Sequence, residues 1–161
     1  MSKNKKAIYV LFLFLFVGCG TAPKGIGPIF KYSPPNESTS YVYHYRLNKV
    51  AGNGLYYYLF MNGELVTLIG NGGYFTQNLL PGEYKYAVKD QVTALPGMPI
   101  TYLTSEIDNK KAKIKHVLDL VAKPNKSYYF RWNYGFGKVE QIEENIALKE
   151  LEGLKRFELK K

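Results

Sequence analysis

The side chains best suited to acid–base, nucleophilic or metal chemistry are few in this 161-residue chain: His44, His116 and Cys19 are its only histidines and cysteine. One cysteine cannot close an intrachain disulfide. With two imidazoles beside it, neither a Cys-rich zinc site nor a histidine metal cluster has its ligands. His44 lies two residues from Arg46 in the alternating stretch Tyr41-Val42-Tyr43-His44-Tyr45-Arg46-Leu47. The two therefore project from one face of a strand, where they could hold an anion, but a histidine on a solvated face explains the spacing with fewer assumptions. His116 falls between Ile114 and Leu118 on an apolar face, a more ordinary setting for a core-edge histidine than for a ligand or base. No neighbouring carboxylate tunes either one, and Asp90, Asp108 and Asp119 matter only if the fold gathers them. There is no Gly-x-Ser-x-Gly turn, and Gly70-Asn71-Gly72-Gly73 lacks the Gly-Lys-Ser/Thr ending that holds phosphates. We assign no catalytic residue, metal ligand or cofactor from sequence. A small hydrolase using His44 or His116 stands as the alternative to a non-catalytic module.

Two other groups of residues carry weight. Lys110, Lys111, Lys113 and Lys115 form the densest basic cluster, with Lys113 and Lys115 on one strand face. They suit an anionic surface such as lipid headgroups, lipopolysaccharide or wall polymer. They equally suit an edge strand guarded by lysines against sheet-to-sheet pairing. The 15 tyrosines can either line a binding surface or fill a core with their hydroxyls at its rim, and their alternation favours the core.

The elements that position these residues are short strands between turn signals. Tyr41–Leu47 alternates, with its tyrosines and leucine on one face and Val42, His44 and Arg46 on the other. Leu55–Met61 is apolar on both faces, as a strand covered on both sides must be. Asn62-Gly63 predicts a type I′ hairpin into a strand over 64–69. The cluster Gly70–Gly73 predicts another turn, followed by a strand over 74–79. Pro81-Gly82 predicts a type II turn with positive φ at the glycine. Strands follow over 83–89, 113–122, 128–133 and 138–142, and residues 91–109 read as a long connection, with a crossing between sheets left open. Glu143–Leu151 predicts a short helix terminated by Gly153. About seven or eight strands at this spacing predict an all-β, antiparallel sandwich with a short C-terminal helix.

The N-terminus has a different character. Lys3, Lys5 and Lys6 precede the eleven-residue apolar run Ala7–Val17, too short for the roughly twenty residues of a membrane-spanning helix. A basic start, a short apolar middle and a small-residue end make a secretory signal. Phe16-Val17-Gly18-Cys19 resembles a bacterial lipobox, departing from it at Phe16. That resemblance implies cleavage before Cys19 and its acylation, and two or three chains hold stably where one does not. Gly20, in place of an aspartate, implies the outer rather than the inner membrane of a diderm envelope. Removal of residues 1–18 lowers the formal charge from +9 to +6, a moderately basic balance that suits anionic envelope surfaces and does not by itself imply nucleic acid. The expected organisation is a signal peptide over 1–18, a lipidated cysteine and flexible tether over 19–39 with local docking at Ile29, Phe30 and Tyr32, a sandwich over 40–153 and a basic tail over 154–161.

The ordered set Tyr-Val-Tyr-His-Tyr-Arg (41–46), Asn62-Gly63, Gly73-Tyr74-Phe75, Leu80-Pro81-Gly82-Glu83-Tyr84 and Ser127-Tyr128-Tyr129-Phe130-Arg131 resembles one family of bacterial envelope proteins. These proteins carry a domain of unknown function, number 2846, and are similar to PEGA-type and carboxypeptidase-regulatory-like β-sandwiches. The resemblance implies a lipid-anchored envelope protein with a possible protein or wall-polymer partner. It supplies no catalytic residue.

Overall fold

A computed structural model describes residues 27–50, 55–93, 114–133 and 138–157. The expected all-β sandwich with a short C-terminal helix is what forms, from two facing sheets. The strands are β1 (Ser40–Arg46), β2 (Leu55–Met61), β3 (Glu64–Ile69), β4 (Gly73–Leu79), β5 (Gly82–Thr93), β6 (Lys115–Ala122), β7 (Lys126–Trp132), β8 (Val139–Gln141) and β9 (Lys155–Arg156), with helix α1 (Glu144–Leu151) before β9. One sheet has the order β8-β7-β1-β4-β9 and the other β3-β2-β5-β6. The first is mixed rather than purely antiparallel, because β1 pairs parallel with β7 and β4 parallel with β9.

The turns follow local chemistry, with one exception. Asn62 and Gly63 both adopt positive φ, 52° and 88°, as a type I′ hairpin requires. Gly72 (φ 67°) closes the β3–β4 turn, and Gly153 (φ 79°) ends α1 with Leu154 N–H donating to Leu151 O. Gly82 is the exception: it does not take positive φ and opens β5 instead, so no type II turn forms at Pro81-Gly82. The connection after β5 also differs from expectation. Strand β5 continues to Thr93, and β6 pairs beside it antiparallel, so the chain between them returns to its own sheet.

Strand β1 shows how the layers close. Both its neighbours are strands, and both its faces are covered. Val42 joins Tyr57, Leu59, Ile69, Tyr86, Phe130 and Trp132 between the sheets. Tyr43 and Tyr45 pack on the outer side with Tyr74, Tyr129, Ala147, Leu151 and Leu154, beneath α1. Rings stack there, with Tyr43 and Tyr129 5.1 Å apart and 7° from parallel. The alternation read from sequence is correct, but the polar-looking face of β1, which carries His44 and Arg46, is the one turned inward. The tyrosine reading resolves to core for Tyr43, Tyr45, Tyr56, Tyr57, Tyr58, Tyr74, Tyr86 and Tyr129, all buried.

Two crossings between the sheets lie side by side and share a device. At β4–β5, Tyr84 donates its hydroxyl to Leu80 O at 3.0 Å. At β6–β7, Tyr128 donates to Val121 O at 3.2 Å and accepts from Lys123 N–H at 3.0 Å. Each bond gives a backbone group at the corner a side-chain partner.

The C-terminal stretch is structural and not a free basic tail over its first four residues. Leu154 and Phe157 are buried, and Lys155–Arg156 form β9. The segment before β1 docks on that strand. Gly27 N–H donates to Arg156 O at 2.9 Å, Arg156 N–H to Pro28 O at 3.0 Å and Phe30 N–H to Leu154 O at 2.9 Å. Phe30 meets Tyr43 and Tyr74 edge-on, at 5.8 and 5.4 Å. The local docking expected at Phe30 is thus a firm attachment.

Phe157 fills a slot that two glycines leave open. A Cβ built on Gly73 would lie 1.8 Å from its ring, and one on Gly70 2.7 Å from it. Gly73→Ala should therefore cost about 2 kcal/mol through overpacking, and Phe157→Ala about 3–5 kcal/mol through the cavity it leaves. The double variant should cost clearly less than the sum, because the cavity admits the new methyl. Urea unfolding midpoints of the four proteins check this.

Candidate functional sites

The structure separates the two histidines into opposite environments. His44 has 0% exposure, between the sheets. The solvated-face reading of His44 is therefore wrong: the inward turn of β1 places it against Tyr86 at 4.6 Å, Phe130 at 5.4 Å and Trp132 at 6.0 Å between ring centroids. Trp132 Nε1–H donates to His44 Nδ1 at 3.3 Å. Indole nitrogen can only donate, so Nδ1 accepts and the neutral imidazole carries its proton on Nε2. Nε2 finds no hydrogen-bond partner among the described residues. Leaving one nitrogen unpaired costs about 1–3 kcal/mol; ionising the ring there would cost more, and burial holds its pKa down to about 3. A neutral ring sealed from water cannot exchange protons with a substrate.

Arg46, on the same face of β1, sits at the mouth of the sandwich. Its guanidinium donates to Leu55 O at 2.6 Å and lies 5.7 Å from the centroid of the Tyr57 ring. The anion cradle that His44 and Arg46 offered on sequence is therefore not built, since His44 is enclosed and Arg46 braces the start of β2.

His116 is exposed, not on the apolar face that its spacing suggested. The β5–β6 register shifts here: Ala87 is opposite His116 and Tyr86 opposite Leu118, leaving Val117 as an extra residue. A strand without that bulge would send residues three apart to opposite faces. With it, His116 Nε2 reaches Asp119 Oδ1 at 3.0 Å, so a carboxylate does accompany one histidine. Both side chains are more than half exposed, 55% and 67%, on β6, which is an edge strand of its sheet among the described residues. As an exposed pair it contributes at most about 1 kcal/mol to stability.

Of the lysine cluster, Lys115 is exposed at the start of β6, an edge strand, where the edge-guarding reading would put it. Lys110, Lys111 and Lys113 lie outside the described residues, as do Cys19 and Asp108.

One polar network went unread in the sequence. Arg131 on β7 donates through Nη2 to Glu140 Oε2 at 2.9 Å and through Nη1 to Glu150 Oε1, while Tyr45 donates to Glu150 Oε2 at 2.5 Å. Tyr129 and Tyr32 donate to Glu144 Oε1 at 3.0 and 3.2 Å. The Arg131 hydrogen bond holds Glu140 below the usual carboxylate range. Burial, then the bond to Glu150, pushes the Tyr45 hydroxyl well up, so it stays a donor. The bonds from Tyr45, Tyr129 and Arg131 to Glu150 and Glu144 pin α1 to the sheet, and the bond to Glu140 ties β7 to β8. Their only sequence signal is an arginine inside an aromatic strand, which shows that a partner is needed and not which one.

No set of three or more metal-ligating side chains converges among the described residues, and no described helix is long and apolar enough to cross a membrane. No family model, curated protein or solved structure matches the chain.

The enclosure of His44 has a pH signature. Its pKa is depressed in the folded state, so the unfolded chain takes up a proton first as pH falls below about 6.5. Stability is complete above that value and is lost progressively toward pH 3. Between pH 6.5 and 4.5, above most carboxylate titration, the loss should be roughly 2 kcal/mol. His44→Gln, which keeps a group able to accept from Trp132, should flatten that part of the curve; urea unfolding at stepped pH measures both.

Proposed function

We propose that this is a lipid-anchored cell-envelope protein whose β-sandwich works as a non-catalytic binding or assembly module, of the kind its resemblance to the 2846 envelope domains implies. Lipidation at Cys19 supplies the membrane attachment, with the outer membrane favoured by Gly20. The partner is an envelope protein or wall polymer rather than nucleic acid.

The observation that carries this reading is the attachment of the segment after the lipobox-like sequence. Residues 27–30 are bonded to β9 and the adjoining turn, and Phe30 is wedged on Tyr43 and Tyr74. Eight residue steps separate Cys19 from Gly27, so the anchor joins a braced sheet through at most about 28 Å of chain. A short link of that kind holds a domain close to the membrane surface. The closed setting of His44 also fits a module better than an acid–base enzyme. The hydrolase alternative keeps one specific footing, the His116–Asp119 pair.

The test begins with intact mass spectrometry of the membrane-purified protein. The expected result is loss of residues 1–18 and a diacylglyceryl group on Cys19, with Cys19→Ala leaving the membrane fraction. In-cell cross-linking of both forms should then yield one dominant envelope partner, absent from Cys19→Ala. An unmodified Cys19, or identical fractionation of the two forms, rejects the anchored reading. Hydrolase activity lost on His116→Ala with the fold intact would replace the module with an enzyme.

A further inference from the structure

We infer that the corner where the two sheet crossings meet is the part of the domain that rests on the bilayer; this deepens the lipid-anchored reading and depends on it. The corner is apolar where a soluble surface has no need to be. Leu80 is 67% exposed and Val121 59% exposed, with Pro81 and Pro124 exposed beside them. The register holds them together: Gly82 is paired with Ala122 and Glu83 with Val121, so Leu80-Pro81 and Lys123-Pro124 leave the sheet as neighbours. The tyrosine hydroxyls of Tyr84 and Tyr128 fix both turns, which makes the projection rigid. A rigid apolar tip loses little conformational freedom on entering an interface.

The path of the chain selects a bilayer as the occupant. Strand β9 runs parallel to β4, and Ile29 pairs antiparallel with Lys155. Traced back from Phe30 to Gly27, the chain therefore runs toward the Leu79 end of β4, the end that carries the corner. Gly27 lies level with Phe75, four strand residues or about 14 Å short of Leu79. The eight residue steps back to Cys19 span up to about 28 Å, enough to put the lipid beyond the corner without doubling back. Charge around the corner is mixed in sign, with exposed Lys123 and Lys126 on one turn and exposed Glu83 and Glu37 on the neighbouring segments, the 36–39 turn being tied in by Asn125 N–H donating to Thr39 O at 2.8 Å, so charge does not drive the contact.

The test uses the full lipidated protein in phosphatidylethanolamine–phosphatidylglycerol vesicles. Leu80→Cys and, separately, Val121→Cys carry a bimane fluorophore, with Val50→Cys as the comparison site; Val50 is 97% exposed near the opposite end of the sandwich. Quenching by nitroxide-bearing lipids should be at least twofold greater at positions 80 and 121 than at 50, and unchanged in 0.5 M salt. Equal quenching at all three sites, stronger quenching at 50, or loss of the difference in salt overturns the inference. Labelling stoichiometry separates the two levels of failure. Acylated Cys19 leaves a single reactive thiol, whereas two labelled thiols and failure to float with vesicles reject the anchor itself.

Discussion

The two-sided burial of β1 is the constraint on which the rest of the structure depends. A strand with partners on both edges and cover on both faces must have something to place on each face. The sandwich supplies the second sheet on one side and α1 with Phe30 on the other. From that requirement follow the inward His44, the Tyr–Glu and Arg–Glu bonds that fasten α1, and the docking of residues 27–30 on β9. Phe157 completes the arrangement by filling the slot at Gly70 and Gly73 and reaching Tyr56. A helix and two chain segments that would otherwise be appendages thus become parts of the packed domain, each in an apolar cluster outside the one between the sheets.

The wealth of tyrosine makes this packing possible in a domain of modest size. Each ring contributes a large apolar area, and each hydroxyl can meet a backbone or carboxylate partner at the rim. Tyr43 reaches Ser33 O, Tyr86 reaches Gln77, and Tyr84 and Tyr128 secure the crossings. Leucine or phenylalanine in these places would bury comparable area and leave those partners unmet. The same property removes most of these tyrosines from any exposed aromatic binding face, which turns attention to the corners and edges.

Local features were readable in the chain because local physics sets them. Asn62-Gly63 can hardly be other than a tight hairpin, and the alternation in β1 and the double-faced apolarity of β2 follow from strand geometry. What the sequence could not give was partnership at long range. The parallel pairing of β1 with β7 joins residues far apart in the chain, and nothing near Tyr41 announces it. Judged alone, a face bearing His44 and Arg46 looks solvated and one bearing tyrosines looks buried; only the presence of a cover for each side reverses the first assignment. The His116–Asp119 contact needs a bulge at Val117, which has no local signature. Pro81-Gly82 suggested a type II turn because both residues fit one, yet the demand of the β5–β6 pairing for an extended Gly82 prevailed.

Whether His44 belongs to the core decides if that ring can take part in chemistry. Ring-nitrogen NMR of His44 in ¹⁵N-labelled protein, followed from pH 8 to pH 4.5, addresses it directly. The account predicts a neutral imidazole throughout, with the proton on Nε2 and Nδ1 shifted by the Trp132 hydrogen bond. Titration near the ordinary histidine value would mean that water reaches the ring, and a proton resident on Nδ1 would mean that the Trp132 bond is not made; either result contradicts the sealed setting of His44.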